Sequence, residues 1–223
     1  MTTHSLAADT PLATIRAAIA QSEKIAGRPA GSTSLIAISK TKPVEAIEEL
    51  IAQGQMVFGE NRVQEAQAKF PALRERHPDL ELHMVGQLQS NKADDAVALF
   101  DYIHSLDRLS LAKTLAAAMD KAGRRVPCFV QVNIGEEDQK GGCAIADLPR
   151  FLDQVRALDL PVIGLMAVPP ADVEPSPYFA LLAKLAREAG LGKLSMGMSG
   201  DFETAVRIGA SHVRIGSALF GAR

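Results

Sequence analysis

Residues 35–40 read Leu35-Ile36-Ala37-Ile38-Ser39-Lys40, an apolar, partly β-branched run that closes on one lysine. Such a run reads as a buried strand. Thr41-Lys42-Pro43 follows, and then an amphipathic stretch, Val44–Gln53, that reads as a helix. This strand-then-helix unit recurs along the chain. Further strands are expected at Met56–Phe58, Leu82–Val85, Tyr102–Ser105, Cys128–Asn133, Val162–Val168, Lys193–Met196 and His212–Ile215. Helices are expected at Val63–Phe70, Ser90–Leu99, Leu109–Ala122, Ile145–Leu158, Tyr178–Ala189 and Phe202–Ile208. One more helix, Pro11 to Ala26, precedes the first strand, with Thr10 placed to cap it and Pro11 suited to its first turn. Gly54, Gly123 and Gly190 each follow a helix, where a left-handed cap is favoured.

Alternating strands and helices predict a parallel β/α architecture. Eight units predict a closed (β/α)₈ TIM barrel, with an extra N-terminal helix, over an open doubly wound sheet of fewer strands. The 223 residues lie near the lower size of such barrels, roughly 200 residues. The expectation is therefore one domain over residues 1–223, with short loops and no second domain. Pro169–Pro177, with four prolines, reads as a rigid surface loop.

A net charge of -2 and an aromatic content of 4% without tryptophan argue against nucleic acid and anionic membranes as partners. Met1–Asp9 is too polar for a secretory signal, and no apolar run reaches the roughly 20 residues of a membrane span. The two cysteines, Cys128 and Cys143, form neither a disulfide framework nor a metal motif. Cys128 reads as core and Cys143 as a loop residue open to solvent. A cytoplasmic protein is expected.

Barrel enzymes place their sites at the C-terminal ends of the strands. Alternation puts Ile36, Ile38 and Lys40 on one face. If the isoleucines fill the barrel, Lys40 points into its mouth, where partial burial favours a neutral, nucleophilic amine. Lys42, just before Pro43, is expected outside the mouth. The loops after strands seven and eight often bind phosphate. Here they hold Ser199-Gly200, opening a helix, and Gly216-Ser217, glycine turns and helix starts that offer free N–H groups to an anion. Arg214 precedes the second loop and could meet a phosphate or a ring nitrogen. Asn61 and His83 are further strand-end candidates, each with a plain structural alternative as helix cap or core histidine. An amine facing an anion-binding backbone is what a phosphorylated aldehyde such as pyridoxal phosphate (PLP) requires for attachment as a Schiff base.

The chain resembles the pyridoxal phosphate homeostasis proteins, the YggS/PROSC-like family. The resemblance rests on Ala37-Ile38-Ser39-Lys40-Thr41-Lys42-Pro43, Phe58-Gly59-Glu60-Asn61, His83 to Lys92, Gly164-Leu165-Met166, Leu194 to Ser199 and Val213-Arg214-Ile215-Gly216. These segments are jointly specific and span residues 35 to 221. The resemblance implies a barrel like the N-terminal domain of alanine racemase (PLP fold type III), with PLP on Lys40 and its phosphate around Ser199, Gly200, Gly216 and Ser217. Gly200 departs from the pattern, since such proteins often carry an acidic or other polar residue before the aspartate, here Asp201.

Three functions follow from an amine beside a phosphate loop. An amino-acid racemase needs acid–base groups on both faces of the cofactor. In alanine racemases the second is a tyrosine from another domain of the partner subunit. This chain offers Tyr102 and Tyr178, neither an evident fit. A Schiff-base aldolase needs further acid–base groups near Lys40, and none is clearly placed. A carrier that stores, buffers or delivers PLP needs only reversible attachment and a phosphate grip. The expectation is a non-catalytic PLP carrier, monomeric, with PLP-dependent apo-enzymes as partners.

Overall fold

The computed structural model describes residues 10–221. Met1–Asp9, read above as no secretory signal, lies outside the described residues. Eight strands form: β1 (Ser34–Ile38), β2 (Val57–Glu60), β3 (Glu81–Met84), β4 (Tyr102–Leu106), β5 (Cys128–Gln131), β6 (Val162–Met166), β7 (Lys193–Ser195) and β8 (His212–Ile215). They pair in parallel in chain order, and β8 returns to β1 to close the barrel, with Ile36 opposite Arg214. The helices are α1 (Pro11–Ile25), α2 (Val44–Ala52), α3 (Val63–Arg76), α4 (Ala93–Leu99), α5 (Leu109–Ala122), α6 (Leu148–Ala157), α7 (Ser176–Glu188), α8 (Phe202–Ile208) and α9 (Ser217–Phe220). Thr10 caps α1 by accepting from the Ala13 N–H at 3.2 Å. Among the described residues no helix is long and apolar enough to cross a membrane.

Strand alternation separates two cores. Leu35 and Ala37 of β1 join the apolar layer between sheet and helices, as do Val213 and Ile215 of β8. Ile36 and Ile38 face inward and close on Gly59 of β2. A Cβ at Gly59 would lie 2.7 Å from Ile38 Cδ1 and 2.8 Å from Ile36 Cγ2, so a larger residue would split this side of the barrel. The opposite side of the interior is polar. His83, His104, Ser195, His212 and Arg214, from β3, β4, β7 and β8, are all buried there.

Element ends differ from the sequence reading where tertiary contacts act. α3 was expected to stop at Phe70 before Pro71, yet it runs through that proline to Arg76. Phe70 and Leu73 are both fully buried, and their packing outweighs the one backbone N–H that proline forfeits. Pro177 is not loop but lies in the first turn of α7, a position that tolerates proline. Ser90–Lys92 and Ile145–Asp147 are single 3₁₀ turns leading into α4 and α6. α9 was not anticipated, because four residues show no periodicity. Cys143 is buried, not open to solvent, and burial pushes its thiol up to about 12.

Candidate functional site

A cavity of about 570 Å³ opens at the C-terminal ends of the strands. Seven predicted residues line it: Lys40, Asn61, Ser199, Gly200, Arg214, Gly216 and Ser217. His83 does not. It is fully buried inside the barrel, bonded to His104 and Glu81 and stacked on Tyr102 at 4.5 Å between ring centroids. As the core-histidine alternative allowed, its two ring nitrogens are spent on protein partners. Lys42, expected outside, lines the cavity too, but its amine is tied to the Phe220 carbonyl at 3.2 Å. That leaves Lys40 as the lysine of the wall with no hydrogen bond or ion pair to its amine among the described residues.

The wall that carries Lys40 is held from beneath by a buried cluster that the sequence reading missed. Lys69 of α3 donates to the Ser39 carbonyl at 2.9 Å and to the Lys42 carbonyl at 3.3 Å, one bond on each side of Lys40. Its amine also pairs with Glu60 at 2.7 Å and Glu65 at 2.8 Å. Glu60 accepts from the Ser39 hydroxyl at 2.7 Å, and Glu65 accepts from the Thr41 N–H. Thr41 sits at φ 61°, a left-handed conformation uncommon for threonine and fixed here by that bond. Burial pushes the Glu60 carboxyl above its ordinary range, against the pull of Lys69 and Ser39. Burial also opposes charge on Glu65, but bonds from Lys69 and Thr41 outweigh it and hold that carboxyl low. The only sequence signal was the Glu65–Lys69 spacing of one helical turn, which is commonplace.

The facing wall is backbone. Gly197, at φ 94°, turns the chain out of β7. Ser199 Oγ receives the Ser217 hydroxyl at 3.2 Å and the Ala218 N–H at 3.4 Å, which joins the two loops. Among the described residues nothing accepts from the N–H groups of Ser199, Gly200 or Gly216. The N–H of Ser217 opens α9 and so has no intrahelical partner. A Cβ at Gly200 would meet nothing within 4 Å. Below this wall, Arg214 is buried and donates to Ser195 Oγ at 2.6 Å and to the Ala167 carbonyl at 2.9 Å. Burial pushes its guanidinium down to about 10, with Asp201 opposing, so it stays a cation at neutral pH. The arrangement presents one amine and several unpaired N–H donors to a single space, which suits a small anion bearing an electrophilic carbon.

Comparison with known proteins bears on this site. The family described as "Alanine racemase, N-terminal domain" matches residues 11–223. A protein of Pseudomonas aeruginosa named pyridoxal phosphate homeostasis protein is 40% identical over 218 residues, covering 95% of this chain and 94% of that protein. Its Aquifex aeolicus namesake is 41% identical over 210 residues, covering 89% and 90%. Among solved structures, PipY of Synechococcus elongatus with PLP bound is 41% identical, with a TM-score of 0.78, covering 91% of this chain and 100% of that one. Alanine racemase of Streptomyces coelicolor, 21% identical with a TM-score of 0.69, shares the fold over 95% of this chain and 59% of its own.

Proposed function

The chain belongs to the pyridoxal phosphate homeostasis family within the alanine racemase N-terminal domain group, and from that premise we propose that it holds PLP reversibly on Lys40 and performs no catalysis. The observation that carries this reading is the single cavity shared by the Lys40 amine and the unpaired N–H groups of Ser199, Gly200, Gly216 and Ser217. The residues present fit the group. The serine and glycine loops would hold the phosphate through backbone donors. Lys40 would carry the Schiff base. Arg214, a permanent donor, would face the ring nitrogen, and Asn61 a ring substituent. When bound, PLP supplies an aldehyde that condenses with a primary amine and releases water.

The carrier reading over a racemase is supported by the lining of the cavity. A racemase needs a second acid–base group opposite the lysine, and neither Tyr102 nor Tyr178 lines it. An arginine at the ring nitrogen also disfavours its protonation and weakens PLP as an electron sink. The same reading makes PLP-dependent apo-enzymes the partners, a monomer the working state and the cytoplasm the setting. Mixed with PLP, the protein should turn yellow, and borohydride reduction should leave a phosphopyridoxyl adduct on Lys40 by mass spectrometry. Lys40→Ala should abolish both signals. An unchanged visible spectrum in that variant would sink the Lys40 assignment, and proton exchange at the α-carbon of common amino acids in deuterated water would overturn the carrier reading.

A further inference from the structure

A chain of hydrogen bonds crosses the barrel interior from the cavity floor to the opposite end. Arg214 Nη1 bonds Ser195 Oγ at 2.6 Å, Ser195 Oγ bonds His104 Nδ1 at 2.8 Å, and His104 Nε2 bonds His83 Nδ1 at 2.8 Å. His83 Nε2 then reaches Glu81 Oε1 at 2.7 Å, where the Glu81 side chain is 38% exposed. Ser195, His83 and His104 are fully buried, and His104 stacks on Phe129 at 4.3 Å between ring centroids.

Donor chemistry sets the first link, and the directions of the others depend on the histidine tautomers. Arginine only donates, so the Ser195 oxygen accepts from it and the serine hydrogen is free for His104 Nδ1. With the serine donating there, His104 carries its proton on Nε2 and gives that bond to His83 Nδ1. His83 in turn carries its proton on Nε2 and gives it to the Glu81 carboxylate. Reversing the order would set a lone pair of His83 against a carboxylate oxygen of Glu81 at 2.7 Å and leave the serine hydrogen without its acceptor. Burial pushes His104 well below the ordinary histidine value, with the neighbouring His83, His212 and Arg214 adding to it, in keeping with a neutral ring.

We propose that Ser195, His104, His83 and Glu81 form a one-way donor chain that positions Arg214 and commits its remaining N–H groups to the cavity. This deepens the carrier reading and rests on it for the identity of what Arg214 meets. These four are positioning residues, since none of them lines the cavity. Their effect is to hold Arg214 as a donor toward a ring nitrogen that must accept, which favours storage of PLP over chemistry on it.

The chain can be tested without cofactor. In full-length PLP-free protein labelled with ¹⁵N-histidine, long-range ¹H–¹⁵N correlation at neutral pH should show His83 and His104 both protonated at Nε2 alone. A proton on Nδ1 of either ring, or a doubly protonated His83, overturns the proposal. Glu81→Leu, a change at the half-open far end, should put His83 into a mixture of tautomers; an unchanged His83 signature counts against the chain. With PLP, Ser195→Ala should weaken binding roughly tenfold, about the effect of one lost hydrogen bond to a charged group, and shift the visible absorbance maximum. Ser195→Thr, which keeps the hydroxyl, should restore both. Wild-type affinity and spectrum in Ser195→Ala overturn the positioning role. If wild-type protein binds no PLP, the carrier reading falls while the tautomer result still decides the chain.

Discussion

The two walls of the cavity are built by different physics. The Lys40 wall depends on a side chain whose backbone is fixed by other side chains, Lys69, Glu60 and Glu65, drawn from α3 and β2. The facing wall depends on backbone N–H groups from Ser199–Gly200 and Gly216–Ser217, held by turn geometry and the bond between Ser217 and Ser199. A flexible amine must be aimed, and that takes a buried network. An anion grip comes with the turn itself, so it takes only a chain path that leaves N–H groups unpaired.

The sharpest way to break this contrast is Lys69→Met. It leaves Glu60, fully buried, without its cation, and a broken buried pair costs about 3–5 kcal/mol. Urea unfolding should show that loss. In protein that still folds, PLP attachment at Lys40 should slow while phosphate binding at the facing wall persists.

Acid should weaken the barrel as a whole, because histidines are buried on the polar side of its interior. Burial, with His83, Lys193 and Arg214 nearby, pushes His212 from 6.5 down to about 3. The unfolded chain therefore binds more protons than the folded one between those values. Stability from this group is present above about 6.5 and is lost as pH falls toward about 3. Unfolding midpoints measured at pH 7, 5 and 4 should decline steadily, and a flat profile would refute the buried, neutral state of the ring.

Within the backbone wall, two glycines should separate. Gly197→Ala forces a left-handed φ of 94° and sets a Cβ 2.5 Å from that of Ala205. The expected loss is about 1–3 kcal/mol, with weaker phosphate binding. The smallest effect should come from Gly200→Ala, which meets nothing within 4 Å. It should change stability by less than about 0.5 kcal/mol and leave phosphate affinity intact, since the grip uses N–H groups. A large loss there would show that the wall needs more than backbone.

Much of this molecule was readable in advance because its signals are local. Each strand shows its own apolar run, and Lys40 follows by alternation from Ile36 and Ile38. The loops of the facing wall follow from glycine and serine at strand ends. What escaped were contacts between residues distant in the chain. His83 looked like a strand-end candidate, but only the neighbouring strand showed that His104 takes its nitrogen at 2.8 Å. Lys69 drew no reading from the sequence, and only the fold sets its amine against the carbonyls that flank Lys40. Ser195 stood in a quoted motif with no role until Arg214 and His104 met at its oxygen.

The sequence by itself determined the eightfold alternation, the face on which Lys40 lies and the loops able to hold an anion, since backbone periodicity and turn chemistry act over a few residues. Only the tertiary structure decided which charged groups support Lys40, which histidines turn inward and which buried groups meet at the Ser195 oxygen. Those outcomes depend on pairing partners brought together by barrel closure, and burial makes each unsatisfied partner costly enough to enforce the choice.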